Sequence, residues 1–311
     1  MKCSKCGGKE FVWNGHKFRG GRYVHEARCK KCRHYEYEEA KEKNEGAGGK
    51  FNILLLDIET MPIMLYSWGL WNQTHGINQI IHPWFMVSWS AKWLFEDEVY
   101  SDVLTPGEVI AKDDSRICKG LWKFLDHCDI VIGHNAKKFD IPKANWRFLK
   151  NGLNPPSPYQ IIDTKKAFDK SGLLAPDSAK LDFVCRALGM EGKIDTGGFE
   201  LWEACYRGDQ DALKEMETYN RQDTVILESL YLKIRPWIKS HPNIGLLIED
   251  SVECCGVCGS EKINWLDDHP YRTMVGSYSA FRCDDCGAVG RSRTTELALK
   301  KRKSLLTNAA R

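Results

Sequence analysis

The chain has 311 residues, 42% of them hydrophobic and 28% charged, which supplies a buried core and excludes a disordered or fibrous protein. No apolar run approaches the roughly 20 residues a bilayer crossing needs, and the opening Met1-Lys2-Cys3-Ser4-Lys5-Cys6 lacks the apolar stretch of a secretory signal, so a cytoplasmic protein without a membrane partner is expected. The net charge of +3 divides unevenly: residues 1–50 carry +6, residues 51–250 carry −6 and residues 251–311 carry +3, a pattern suited to ends that meet phosphate and a centre that gathers carboxylates around metal. Ordinary solvated surface charge is the alternative reading.

Residues 1–39 hold Cys3-x2-Cys6 and Cys29-x2-Cys32. Two such turns aim four thiolates at one ion, the arrangement of a structural zinc site, and in a reducing compartment paired cysteines bind metal more often than each other. Residues 1–39 are therefore expected to form a zinc ribbon. Its cations Lys17, Arg19 and Arg22, with His16 and Tyr23, are candidates for contact with nucleic acid, while Trp13 is expected to pack the module's own small core. Residues 40–50, charged and then glycine-rich, read as a linker.

The central part, 51–248, alternates strands and helices, which predicts a mixed α/β core. The apolar run 51–56 ends in Asp57 and reads as a buried strand, and period-two alternation puts Asp57 and Glu59 on one face. A helix is expected near 115–127, a strand over 129–133, a helix over 139–150 opening near Asp140, and a short strand over 161–164. Further on, an amphipathic helix over 179–188 and a long helix over 209–234, stopped by Pro236, carry Tyr219 and Asp223 one turn apart on a shared face. Any one acid alone reads as a surface charge or a cap; acids at the ends of apolar runs are less readily dismissed. Cys118, Cys128, Cys185 and Cys205 lie in apolar stretches and are expected as small buried hydrophobes.

Residues 249–296 repeat the first module with Cys255-x2-Cys258 and Cys283-x2-Cys286, so a second zinc ribbon and two structural Zn²⁺ per chain are expected. Glycine follows Cys6, Cys258 and Cys286, as tight metal-binding turns favour, and Cys254 could stand in for Cys255 as ligand. His269, Arg272 and Arg282, with Tyr271, Tyr278 and Phe281, repeat the mixture of cations and aromatics, and Trp265, like Trp13, is expected to pack internally. Docking of a protein partner on a ribbon stays open beside nucleic acid. The basic tail 297–311, with Lys300-Lys301-Arg302-Lys303, reads as a solvated terminus.

Three segments together carry a family resemblance. Leu55-Leu56-Asp57-Ile58-Glu59-Thr60 resembles the first exonuclease motif of the DnaQ-like, or DEDD, superfamily. Gly133-His134-Asn135-Ala136-Lys137-Lys138-Phe139-Asp140 resembles the second, and Tyr219-Asn220-Arg221-Gln222-Asp223 the third in its tyrosine (DEDDy) form. That form occurs in the proofreading domains of family B DNA polymerases. Asp163-Thr164 and Lys180-Leu181-Asp182-Phe183 are similar to segments between those motifs, and the tryptophan-rich stretch from Trp68 to Trp93 is similar to small stand-alone exonucleases of phages and prophages, which would place the protein in the cytoplasm of a phage-infected host.

The resemblance, over about residues 51–235, implies a ribonuclease-H-like mixed sheet with flanking helices and a 3′→5′ exonuclease that releases nucleoside monophosphates, with DNA ahead of RNA as substrate. It implies two catalytic Mg²⁺ or Mn²⁺ ions held by Asp57, Glu59, Asp140 and Asp223, with Tyr219 positioning the attacking water. Thr60, His134 and Asn135 become candidate substrate contacts, and Phe139 is expected in the core. Two rivals remain: a zinc-ribbon adaptor for nucleic acid with an inactive core, and an endonuclease using the same site.

Overall fold

The computed structural model describes residues 3–19, 22–39, 51–169, 172–193, 198–248 and 252–307, with the backbone alone for 11–19, 22–27 and 35–39. The linker 40–50 and the side chains of Trp13, His16, Lys17, Arg19, Arg22 and Tyr23 lie outside the described residues. Chain contacts separate two units, Met1–Lys50 and Phe51–Arg311.

The first unit is an antiparallel three-stranded sheet of β1 (Phe11–Arg19), β2 (Arg22–Cys29) and β3 (Tyr35–Glu39). The second opens with β4 (Ile53–Thr60), the small hairpin of β5 (Met64–Leu65) and β6 (Ile80–His82), and the long strands β7 (Met86–Trp93) and β8 (Val99–Val103). Helices α1 (Pro106–Ala111) and α2 (Ser115–His127), strand β9 (Ile130–Gly133), helix α3 (Asp140–Lys150) and strand β10 (Gln160–Asp163) follow. Then come α4 (Leu181–Ala187), α5 (Phe199–Tyr206) and α6 (Gln210–Ile234).

The central sheet has the order β10-β9-β4-β7-β8. β9 and β10 run parallel to β4, while β7 is antiparallel to β4 and to β8. The pleat of β4 sorts its residues between two layers. Leu54, Leu56 and Ile58 pack with Leu121, Leu125 and Phe148 of α2 and α3, whereas Ile53 and Leu55 pack with Leu227 and Tyr231 of α6. Each such side chain stabilises the fold by roughly 1.5–3 kcal/mol on burial. The alternation that turns Ile53 and Leu55 toward α6 turns Asp57 and Glu59 the same way, so the strand end delivers both carboxylates to the helix that carries Asp223.

The sequence-based elements and the observed ones agree closely over 115–188 and 209–234; the differences lie outside those spans. The first strand, expected to end with Asp57-Ile58-Glu59, runs one residue further, to Thr60. The tryptophan-rich stretch, to which the sequence assigns no element, supplies one of the five sheet strands, β7, and β8 follows it; seven of the eight residues of β7 are buried, so alternation cannot mark it.

The C-terminal module forms β11 (Ile263–Trp265), the pair β12 (Tyr271–Arg272) and β13 (Ser277–Tyr278), β14 (Ala280–Cys283) and β15 (Val289–Arg291). It belongs to the same unit as the core and is tied to it: the Ile244 N–H donates to the Gly256 carbonyl at 2.8 Å, and Ile244 is buried in the cluster of Ile53 and Tyr231. Trp265 packs edge-on against Phe281 at 5.7 Å and stays partly exposed. Arg291 lies over Tyr278 at 4.1 Å and Tyr271 at 5.4 Å. The basic run of the tail, expected as a solvated terminus, is exposed and lies in a short helix α7 (Leu299–Ser304); four consecutive good helix formers suffice for a turn and a half.

Candidate metal centre and cysteine clusters

Ligand atoms of Asp57, Glu59 and Asp223 all lie within 4.8 Å of one another. Asp57 and Glu59 come from the end of β4 and Asp223 from the middle of α6, where it is buried. Asp140, in the first turn of α3, is buried beside them and accepts a hydrogen bond from the Ile58 N–H at 3.2 Å; it stands outside the three-carboxylate group. Asp57 is aimed by its neighbour in the third motif: Asn220 Nδ2 donates to Asp57 Oδ2 at 2.6 Å, and the buried Asn220 Oδ1 accepts from the Ser88 hydroxyl of β7 at 3.0 Å.

The electrostatics are those of a cation site. Burial, then repulsion from Asp140, Asp223 and Glu59, pushes the Asp57 carboxyl well above the usual range. Burial, with Asp223 and Asp140 adding to it, takes Glu59 up to about 8, and burial takes Asp140 up to about 7. Asp223 is likewise raised by burial, and its Oδ1 is buried with no hydrogen-bond donor. Such a lone pair is costly unless a cation takes it. An all-oxygen donor set of carboxylates suits Mg²⁺ or Mn²⁺, so these residues fit the divalent ions that the chemistry implies.

One cation is already among them. Lys193 Nζ is paired with Asp223 Oδ2 and donates to the Tyr219 hydroxyl at 2.9 Å. Burial would lower its pKa, but the Asp223 and Asp57 carboxylates override this and raise it. Asp182 of α4 holds the loop in place by accepting from the Lys193 N–H at 2.8 Å. No local pattern around Gly192-Lys193 betrayed this residue, because its partners are 26 and 30 positions away. Tyr219 packs edge-on against Trp202 of α5 at 6.3 Å, and its pKa rises to about 12 through burial and the Asp223 charge; it remains a hydrogen-bonding phenol at neutral pH.

Thr60, Pro62, Phe199 and Trp202 line a cleft of about 330 Å³. Helix α5, which forms its far wall, was not assigned from the sequence, although Leu201 and Cys205 are buried four residues apart. His134 is committed inside the protein: one ring nitrogen bonds the Thr164 hydroxyl at 2.9 Å and the other the Ala179 carbonyl at 2.8 Å. Asn135 has φ +80°, a conformation steadied by the Asp163 carboxylate, which accepts from the N–H groups of Asn135 and Lys137 at 2.9 and 3.2 Å. Phe139 packs against the main core, and Cys118, Cys128, Cys185 and Cys205 are buried.

The eight paired cysteines gather into two groups of four, Cys3, Cys6, Cys29, Cys32 and Cys255, Cys258, Cys283, Cys286. Their sulfurs approach to 3.5 and 3.6 Å in the first group and 3.6 and 3.7 Å in the second. Four thiolates at about 2.3 Å around tetrahedral zinc lie about 3.8 Å apart, whereas a disulfide holds sulfurs near 2.05 Å. All four turns share one backbone pattern. The first cysteine's N–H donates to the carbonyl five residues on, and its carbonyl accepts from the N–H four residues on, in Cys3–Gly8, Cys29–His34, Cys255–Ser260 and Cys283–Ala288. Cys255 fills this position in its turn, and Cys254 lies outside the group.

Residues 96–235 match the family model of the RNase_H superfamily. That part of the chain is thus similar to a ribonuclease-H-like domain. The match takes in Asp140, Tyr219 and Asp223 and begins after β4 with Asp57 and Glu59. Among solved structures, the family B DNA polymerase of the hyperthermophilic archaeon Pyrobaculum calidifontis is similar at 16% identity, covering 65% of this chain and 28% of the polymerase, with a TM-score of 0.42. The chain thus spans under a third of that polymerase's length. No curated protein matches in sequence. A ribonuclease-H-like domain with clustered carboxylates supports a nuclease that uses divalent metal and binds nucleic acid.

Proposed function

We propose that the protein is a 3′→5′ exonuclease that removes nucleoside monophosphates from nucleic acid, DNA in preference to RNA. The observation that carries this reading is the convergence of Asp57, Glu59 and Asp223 within 4.8 Å, with one oxygen of Asp223 buried and lacking a donor. Asp57, Glu59 and Asp223, with Asp140 beside them, would hold two Mg²⁺ or Mn²⁺ ions. When bound, such ions lower the pKa of a water nucleophile and neutralise charge on the phosphate and the leaving oxygen.

The chain's own residues perform the rest. Asn220 fixes the Asp57 carboxylate. Tyr219, too weak an acid to serve as base near pH 7, orients the attacking water through its hydroxyl. Lys193, already bonded to that hydroxyl, supplies a positive charge where the phosphate arrives. The cysteine clusters would each bind one structural Zn²⁺: all four ligands are protein, which leaves no open position for substrate. Their cations would hold the nucleic acid near the site.

The test is incubation with Mg²⁺ or Mn²⁺ and 5′-labelled single- and double-stranded DNA and RNA, beside Asp57→Ala and Asp223→Ala. The expected result is a ladder that shortens from the 3′ end and is missing in both variants. Internal fragments appearing first would replace this reading with an endonuclease. Binding without cleavage of any substrate would leave an adaptor.

A further inference from the structure

The segment that follows the first carboxylate strand inverts the normal sorting of a surface loop. Between β5 and β6, Tyr66, Trp68, Leu70, Trp71 and Ile77 face solvent, Trp68 at 97% and Trp71 at 82% exposure. Four polar side chains of the same loop, Ser67, Gln73, His75 and Gln79, are used internally. Ser67 Oγ donates to the Gly69 carbonyl and contacts His75 Nε2 at 3.0 Å. Gln73 donates to the Trp71 carbonyl at 2.9 Å, and Gln79 bonds both the Gly76 N–H and the Tyr66 carbonyl at 2.6 and 3.1 Å. A loop whose polar groups pin its backbone while its rings stand in water is a pre-ordered apolar surface, and a patch of that kind marks an interaction site.

Two properties choose the occupant. Residues 60–91 contain no Asp, Glu, Lys or Arg, so the surface offers uncharged ring faces and no ion pairs; it complements nucleobases, which present π-faces of any sequence. The hairpin is also continuous with the candidate centre. Met64 in its base accepts from the Tyr206 hydroxyl at the end of α5, and Pro62 and Thr60 share the cleft with Phe199 and Trp202 of that helix. Trp68 and Trp71 lie nine and twelve residues after Glu59, at most about 30 and 40 Å along an extended chain, which span about nine to twelve stacked nucleotides at 3.4 Å each.

Resting on the nuclease reading above, we propose that the 62–82 hairpin is a stacking platform for unpaired bases within about twelve nucleotides of the 3′ end. Trp68 and Trp71 are its principal faces. The platform makes the protein select single strands, because paired bases have their faces covered by their neighbours.

Binding is measured without added Mg²⁺ or Mn²⁺, so that no hydrolysis intervenes, and without a chelator that would strip the ribbons of zinc, using a fluorescent ~20-nucleotide single strand, its duplex, and a single strand with abasic sites in the last twelve positions. We expect Trp68→Ala/Trp71→Ala to weaken binding to the single strand about 10- to 100-fold, as one or two lost stacks predict. The same variant is expected to change binding to the abasic strand less than about twofold. Equal losses on both strands, or no loss on either, overturn the platform, as does a tryptophan-dependent dimer in sedimentation. Hydrolysis of thymidine 5′-p-nitrophenyl phosphate by the wild type, with Mn²⁺, separately tests the nuclease reading. No hydrolysis alongside tryptophan-dependent strand binding would sink that reading and leave the platform standing.

Discussion

The carboxylate centre and the cysteine clusters gather ligands by opposite means. Each cysteine pair sits in a turn of about six residues that closes on its own backbone, with the same two hydrogen bonds in all four copies. Asp57, Glu59 and Asp223 share no such local frame: β4 and α6 bring them together from 164 or more positions apart, and Asn220 and Ser88 tether them across the sheet. The two designs also differ in sign of energy. Thiolates around zinc contribute to folding, whereas the buried Asp140 and Asp223 and the half-buried Asp57 and Glu59, offset by Lys193, oppose it unless a cation pairs with them. Local turns thus gather the sulfur ligands, and long-range packing gathers the oxygen ligands.

The largest effect that sharpens this contrast is on activity. Asp57→Ala or Asp223→Ala is expected to lower hydrolysis by more than about 100-fold, since even indirect metal partners matter 10- to 100-fold, while zinc content by elemental analysis stays at two per chain. Loss of zinc in Asp57→Ala would break the separation between the two chemistries.

Next in size is the asymmetry between the two ribbons. The C-terminal module shares a unit with the core through Gly256 and Ile244, so Cys258→Ser is expected to lower the melting temperature of the Phe51–Arg311 unit by roughly 5–10 °C, on the order of 2–3 kcal/mol for this size. Cys6→Ser, in the unit Met1–Lys50, should leave that transition where it is. Calorimetry on both variants decides it; equal shifts would show that the ribbons are equivalent.

The same contrast explains what could be read in the chain beforehand. Cysteine turns are legible because ligand spacing is the structure, and the helices over 115–127, 140–150 and 210–234 follow from periodicity and stop signals. Asp57, Glu59, Asp140 and Asp223 were legible through motif resemblance and strand-end position. Lys193 and Asn220 were not given roles, because the groups they serve are made neighbours only by tertiary packing. The motif makes His134 a candidate substrate contact, yet the fold commits both ring nitrogens to Thr164 and Ala179, a use that no local pattern signals. Strand β7, buried on both faces, hides the alternation that would have marked it.

Lys193→Met probes the cation among the acids. Without its ammonium the carboxylates repel one another more strongly, so Mg²⁺ should bind several-fold more tightly by calorimetry while hydrolysis falls about 10- to 100-fold. Unchanged hydrolysis would remove Lys193 from the reaction.

A pH effect on the metal-free protein follows from the raised carboxyls. Their folded pKa values lie above the unfolded ones, so the folded state is favoured while they are protonated, and stability is lost as pH rises from about 4 through the folded value near 8 for Glu59. Asp57→Asn, which removes one of the repelling charges, should therefore raise the melting temperature at pH 8 by a few degrees, on the order of 1 kcal/mol. The gain should shrink at pH 5 and reverse in saturating Mg²⁺, which the wild type binds better.

The smallest effect tests the local half of the comparison. In the four cysteine turns the residue four places after the first cysteine is left-handed: Gly7 at φ +71°, Arg33 at +60°, Gly259 at +76° and Gly287 at +77°. Three are glycine, which adopts this conformation freely; Arg33 does so against a cost of roughly 1 kcal/mol. Arg33→Gly should return most of that cost, offset in part by the greater freedom of glycine in the unfolded chain. The expected outcome is slower loss of zinc from the first ribbon to a chelator, about two- to fivefold, with no change in the second. Gly259→Val is the converse and should speed release from the second ribbon. If Arg33→Gly releases zinc no more slowly than the wild type, backbone strain in the turn is not what sets retention, and packing of the surrounding strands must be.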